Sequence, residues 1–343
     1  MMRVRSLSGT FFFCMEEKAF TIGHLAVNSG VALAPMAGVT DAAFRTLCRE
    51  LGFRGLMFTE MASAKGLCFG DAKSRDIADT AEAERPVAVQ LFGSDPASVA
   101  RAVEMLNAGG ADMIDINMGC PMQKIVKNGE GAALMLNPGL AASIVRAAAD
   151  ASVKPVSVKI RKGWDDSNVN AAAFAQRLED AGASMITVHG RTREQMYGGR
   201  ADWQIIADVK RSVGIPVIGN GDIACAADAA RMFAETGCDA VMPGRAVRGN
   251  PWLLTELENG ICRGASDRYD VKDTCGTRDR LSVIKRHFEL AVATRGERTG
   301  VLEMRKHLAW YLRGARNAAA AKRELMGMTD YGKIMGYIES IFI

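Results

Sequence analysis

Short apolar runs recur along the chain, each followed by a polar or glycine-rich turn and then by a longer stretch with helical spacing of its apolar residues. They begin near Val31 (VALAPM), Leu56 (LMFTEM), Val87 (VAVQLF), Met113 (MIDINM), Val156 (VSVKI), Met185 (MITVH), Val217 (VIGN) and Ala240 (AVMPG). Most lack polar alternation, the pattern of strands covered on both faces. Between them, Pro96 to Ala108, Pro138 to Ala151, Ala171 to Ala181 and Asp202 to Val213 are rich in Ala, Leu and charged residues at helical spacing. Alternating β and α elements imply a parallel sheet. Eight such units over about 225 residues, with no GxGxxG after the first run, predict an α/β fold of the closed (β/α)8 TIM-barrel type; a doubly wound open sheet is the alternative.

After the eighth unit, Gly249-Asn250-Pro251-Trp252 opens another helix, and residues 258–279 are polar and mixed in charge. The barrel is therefore assigned to 19–257, a linker to 258–279 and a small helical domain to 280–343. Within that domain Arg280 to Arg295, Val301 to Arg316 and Ala318 to Ile341 carry helical spacing, with Leu308, Tyr311 and Leu312 around Trp310. Residues 1–18 are expected to be a disordered extension. Their Phe11-Phe12-Phe13 run is shorter than a signal-peptide core and is followed by Glu16, Glu17 and Lys18, and Met15 is a candidate start.

Composition adds three constraints. A length of 343 residues exceeds what a single barrel of roughly 250 consumes, which supports the appended domain. The net charge of +4 is uneven: from Gly276 onward roughly 13 Lys/Arg face roughly 7 Asp/Glu, leaving the remainder slightly acidic. The eight cysteines are scattered singly, with no CxxC and no zinc-ligand spacing, which fits a reducing cytoplasm and no metal centre. No run approaches the ~20 apolar residues of a membrane span.

In a barrel, chemistry gathers at the C-terminal strand ends. Strand ends seven and eight read Gly219-Asn220-Gly221-Asp222 and Pro243-Gly244-Arg245, where exposed N–H groups, helix N-termini and a guanidinium suit a phosphate, and their occurrence together in the two loops where barrels hold phosphate favours that over mere tight turns. Gln90, Lys159 and His189, from strands three, five and six, can face a planar polar ligand, although a buried Lys paired with an acid or a core histidine fits the same positions. Pro35, Met36 and Ala37 can lay main-chain amides and a soft thioether against a ring. Strand four runs into Asn117-Met118-Gly119-Cys120-Pro121. A thiol near pKa ~8.5 stays mostly protonated at neutral pH and can donate a proton, while a nucleophile or an inert buried thiol remain alternatives. Asn117, and more weakly Arg161, suit positioning of a pyrimidine edge or simply hold the loop.

The segments LAPMAGVTDAAFR, VQLFG, INMGCPMQKIVKNGEGAALM, VKIRKGW, VHGRT, IGNGDI and PGRAVRGNPW, with RKHLAWYLRGAR near the end, resemble the tRNA-dihydrouridine synthases, most of all their bacterial B type. The resemblance runs from about Phe20 to the C-terminus. It implies non-covalent FMN contacted by Pro35, Met36, Ala37, Gln90, Lys159, His189, Asn220, Gly221, Asp222, Gly244 and Arg245. It also implies NADPH as reductant, tRNA as substrate, reduction of the C5=C6 bond of a uridine, and Cys120 as general acid. The target base has to leave its stack to be reached. Arg305, Lys306 and Arg313, with Arg280, Lys285, Arg286, Arg316, Lys322 and Arg323, are the expected phosphate contacts, unless they form a solvated basic face. No protein partner is implied and a monomer is expected. Arg248 and the first 18 residues depart from the family pattern. The competing readings are a dihydroorotate or dihydropyrimidine dehydrogenase acting on a free pyrimidine, and a non-catalytic tRNA-binding chaperone.

Overall fold

A computed structural model describes residues 4–7, 10–13, 19–263, 277–315 and 317–342. Two short antiparallel pairs come first: β1 (Val4–Leu7) with β2 (Thr10–Phe13), then β3 (Phe20–Ile22) with β4 (Leu25–Val27). The first pair falls within the segment read as a disordered extension, and Met15 lies outside the described residues. Eight parallel strands follow in sequential order: β5 (Ala32–Leu33), β6 (Leu56–Ser63), β7 (Val87–Phe92), β8 (Met113–Met118), β9 (Val156–Gly163), β10 (Met185–Thr192), β11 (Val217–Asn220) and β12 (Ala240–Met242). The sheet closes where Val31 bridges Val241, whose N–H donates to the Gly30 carbonyl at 2.8 Å. This is the predicted TIM barrel, with each strand where its apolar run begins.

The helices start where local chemistry permits. Asp95 and Asn137 accept from the N–H groups of Ser98 and Leu140 and precede Pro96 and Pro138, whose fixed φ and missing N–H suit a first helical position. Pro96–Leu106 then buries Val99, Ala102 and Val103, and Pro138–Ala151 buries Ala141, Ile144, Val145 and Ala148, the i, i+3, i+4 stripe of a helix laid on a sheet.

The barrel interior has two halves. Toward the N-terminal ends of the strands, Ala32, Leu56, Phe58, Ala88, Met113, Met185, Ile218 and Ala240 pack together, and Ile22 and Val27 of the β3–β4 hairpin join them. Toward the other end the inward positions are Gln90, Asp115, Asn117, Ser157, Lys159, Arg161, Thr187, His189 and Asn220, while their neighbours Val89, Ile114, Ile116, Val158, Ile160 and Val188 belong to the shell under the helices. The strands thus do alternate in their second halves, contrary to the reading of unbroken apolar runs. Their polar partners are hidden inside the barrel rather than turned to solvent.

The C-terminal helices are Thr277–Arg295, Glu297–Tyr311, Ala318–Gly327 and Tyr331–Phe342, and Leu253–Arg263 follows the barrel. Helical turns thus reach into both ends of the predicted linker, of which residues 264–276 lie outside the described residues. The single predicted last helix is two. Met328 breaks from it, its carbonyl held by Arg305, and Asp330 accepts from the Lys333 N–H to start the next. These helices form their own apolar cluster with Ala43 and Leu47 of Ala42–Glu50 and with Trp252. At the seam Gly249, with φ +71°, lies so close to Trp310 that a Cβ there would meet its carbonyl carbon at 2.4 Å. The GNPW segment is therefore a backbone-to-backbone joint.

His287 and His307 are buried in this cluster with ring centroids 4.5 Å apart, both beside Phe44. His287 Nδ1 lies 3.1 Å from the Tyr311 hydroxyl, and neither nitrogen of His307 has a partner among the described residues. Burial pushes His287 down to about 3 and His307 well below its ordinary value, with Lys306 adding to both effects. The native state therefore holds neutral rings where an unfolded chain, with histidine pKa about 6.5, takes up protons. Their contribution is complete above about pH 6.5 and is lost as pH falls, by about 1.4 kcal/mol per pH unit for each ring well below that value. Thermal unfolding measured between about pH 7 and about pH 4.5 should fall steeply on the acid side, and His307→Leu should flatten that slope relative to the parent.

Candidate active site

A cavity of about 980 Å³ opens at the C-terminal mouth of the barrel. All eleven residues expected to contact a cofactor line it, as do Asn117, Cys120, Arg161 and Arg313. Its floor is a hydrogen-bonded series across three strands. Asp115, fully buried, accepts from Ser157 Oγ at 2.5 Å and from Gln90 Nε2 at 2.7 Å. Gln90 Oε1 accepts from Asn117 Nδ2 at 2.8 Å, and Asn117 Oδ1 accepts from the Cys120 N–H at 2.9 Å and the Gly119 N–H at 3.2 Å. Main-chain donors at one end and a carboxylate at the other fix which way both amides face. Each keeps one N–H to offer inward. Burial raises Asp115 to about 6, against the pull of Gln90 and Ser157.

Lys159 reaches across to Asn220 Oδ1 at 3.0 Å, and Asn220 is itself anchored by Nδ2 on the Met242 carbonyl at 2.6 Å. Burial, with Arg161 nearby, lowers Lys159 to about 7, so its charge is poised at neutral pH. His189 Nδ1 lies 3.2 Å from the Asn220 carbonyl, which can only accept, so the proton sits on Nδ1. Nε2 is then a buried acceptor with no partner among the described residues.

The phosphate-like corner is built by the loops after β11 and β12. Gly221 takes φ +130°, and a Cβ there would sit 2.6 Å from that of Ala201. The main-chain N–H groups of Asp222, Ile223 and Gly244 donate to no group among the described residues, and Arg245 stands beside them. The Asp222 carboxylate is not free to greet a ligand: it accepts from Arg191 at 2.8 Å, from the Ala201 N–H at 2.7 Å and from Arg245 at 3.4 Å. Its main-chain N–H is what it leaves toward the cavity.

Cys120 lies half-buried in the loop after β8, and burial pushes its thiol up while Arg161 and Lys159 pull it down. Arg161 donates to the carbonyls of Gly119 (2.6 Å), Thr192 (2.9 Å) and Met196 (3.0 Å), tying the Cys120 loop to the one after β10. Asn117 and Arg161 therefore hold loops as well as lining the cavity.

The basic helical residues scatter in role. Among the described ones, Arg313 alone lines the cavity, and it is exposed. Arg305 is spent on the Met328 carbonyl, the Lys306 ammonium lies against Gly38 near Asp41 and Glu60, Arg286 pairs bidentately with Glu50 (2.7 and 2.8 Å), Lys285 pairs with Glu339, and Arg280 covers the Trp252 ring. Arg316 lies outside the described residues, while Arg323 is exposed and Lys322 partly so.

Sequence reasoning passed over Asp115, Ser157, Arg191, Met61 and Tyr197. The first three were legible as the inward partners of residues already chosen on the same strands. Tyr197, half exposed at the rim, lies under Arg245 (5.1 Å) and Arg161 (6.0 Å), a contact made only by the folded loop. Arg248, the family departure, lies over Trp310 at 5.1 Å on the same rim.

Comparison with known proteins agrees with this geometry. The family model described as dihydrouridine synthase matches residues 32–338. A probable tRNA-dihydrouridine synthase 1 of Synechocystis sp. is 40% identical over 90% of this chain and 85% of its own. The tRNA-dihydrouridine synthase B of Xanthomonas axonopodis pv. citri is 41% identical over 84% and 86%. Among solved structures, histamine dehydrogenase from Rhizobium sp. 4-9 shares the fold at 13% identity, with a TM-score of 0.56 over 80% of this chain and 50% of that one. The resemblance read from the motifs, including the B type, is borne out: the chain belongs to the dihydrouridine synthase family.

Proposed function

We propose that the chain is an FMN-dependent, NADPH-using tRNA-dihydrouridine synthase that reduces the C5=C6 bond of a uridine in tRNA. The observation that carries this reading is the convergence of all eleven expected cofactor contacts, with Asn117 and Cys120, on one cavity whose unpaired groups suit a flavin phosphate and ring. The free N–H groups at Asp222, Ile223 and Gly244, with Arg245, receive a phosphate dianion. His189 Nε2, the spare N–H groups of Gln90 and Asn117, and Lys159 meet the polar edge of an isoalloxazine ring. When bound, that cofactor supplies hydride to C6 of the uracil and is restored by NADPH.

The chain's own part begins with orientation. Asp115 locks Gln90, and Gln90 locks Asn117, so the Cys120 loop is held by the same series that floors the cavity. Cys120 gives the proton to C5. Burial keeps the thiol protonated at neutral pH, and Arg161 and Lys159 stabilise the thiolate that remains until solvent at the mouth reprotonates it.

The direct test is mass spectrometry of nucleosides from unmodified tRNA after incubation with FMN-loaded protein and NADPH. New dihydrouridine is expected; its absence with full turnover on free uracil derivatives would move the assignment to a free-pyrimidine enzyme. Cys120→Ala should lower dihydrouridine formation by roughly 10²- to 10⁴-fold while leaving NADPH oxidation in the flavin half-reaction intact, and unchanged product yield would remove the thiol from the mechanism. FMN binding followed by fluorescence quenching should weaken as pH rises through about 7, where Lys159 loses its charge, and Lys159→Met should abolish that inflection.

A further inference from the structure

A second, smaller cavity of about 380 Å³ lies behind the Cys120 loop, among residues of the loops after β6, β7 and β8. Its walls include Lys65, Phe69, Phe92, Lys124, Asn128 and Glu130. Phe69 is 80% exposed, the most exposed of the large apolar side chains among the described residues. The cavity has no lining residue in common with the flavin site but lies near it along the chain: Met122 lines the first and Lys124 the second, two residues and so at most about 7.6 Å apart between Cα atoms.

We propose that this groove is a second nucleotide subsite, binding a nucleotide of the RNA substrate near the one that enters the flavin cavity. The inference rests on the reading of the chain as a tRNA-modifying enzyme and adds where the neighbouring strand is held. The three chemistries of a nucleotide are present together. Phe69 offers an exposed ring for a base to stack on, and Lys65 and Lys124 offer ammonium groups to a phosphate. Asn128 and Glu130 offer amide and carboxylate groups to a ribose hydroxyl or a base edge.

The local acids offset this attraction only in part: Asp95 and Glu130 both draw on Lys65, while Lys124 forms no ion pair among the described residues. Asp95 is engaged by the N–H and hydroxyl of Ser98, and Asp71 likewise by Ser74, each at the start of its own helix. Glu130 is the one carboxylate in the wall, and it hydrogen-bonds with Asn128 and faces Lys65. The volume lies at the low end of the range for small-ligand pockets, the size for one nucleotide rather than a helix. Stacking tolerates any base, so the groove grips a strand that has already been opened and reads no sequence.

The probe is an unmodified tRNA transcript, with affinity by fluorescence anisotropy and turnover by nucleoside mass spectrometry on the FMN-loaded full chain. Phe69→Ala is expected to weaken binding roughly fivefold to a hundredfold and to raise KM for tRNA with kcat at saturation little changed. Lys65→Ala/Lys124→Ala should reduce the salt dependence of log Kd by between one and two units, a readout that a merely structural role does not move. Phe69→Leu should not restore affinity, whereas Phe69→Trp should. The flavin spectrum and the rate of flavin reduction by NADPH serve as the folding control. Wild-type product with unaltered Kd, KM and salt slope in these variants overturns the groove alone. A wild-type chain that neither binds nor reduces the transcript overturns the functional reading as well.

Discussion

Asp115 is buried completely, and a carboxyl so placed must find donors or be driven neutral. Here Ser157 and Gln90 supply them, and satisfying that one group has consequences outward to the rim. With its amide nitrogen committed to Asp115, Gln90 can only accept from Asn117. Asn117, with its nitrogen committed to Gln90, can only accept from the N–H groups of the Cys120 loop. A loop at the mouth of the barrel is thereby oriented by a carboxylate on its floor. The same logic runs on the other side, where the Met242 carbonyl fixes Asn220, which in turn receives Lys159.

Much of this was readable from the chain. Strand positions followed from short apolar runs separated by helical stretches, because each run had to be buried on its outer face. The site followed from the rule that strand ends carry chemistry, which picked out Gln90, Lys159, His189, Asn220 and Cys120. Less visible was the role of each side chain once folded. Asp222 was expected as a cofactor contact in GNGD, yet its carboxylate is taken up by Arg191 of β10 and by Arg245 after β12. Tyr197 gave no periodic or motif signal, since its place at the rim comes from Arg161 and Arg245 closing over its ring.

The helical region shows most clearly what composition conceals. Its excess of positive charge suggested an RNA-facing surface, yet several of those groups hold the molecule together. Arg305 terminates a helix and Arg286 docks on Glu50, leaving Arg313 at the cavity itself. Like charges that are individually paired do not sum to a binding face. Arg245, Arg248 and Arg313 instead stand together around the mouth, contributed by both parts of the chain.

The joint between Gly249 and Trp310 is made of main chain on both sides. Its geometry is indifferent to which side chains the helices display elsewhere. A substitution on the outer faces of these helices therefore leaves this joint untouched, whereas any side chain at position 249 would force the two backbones apart.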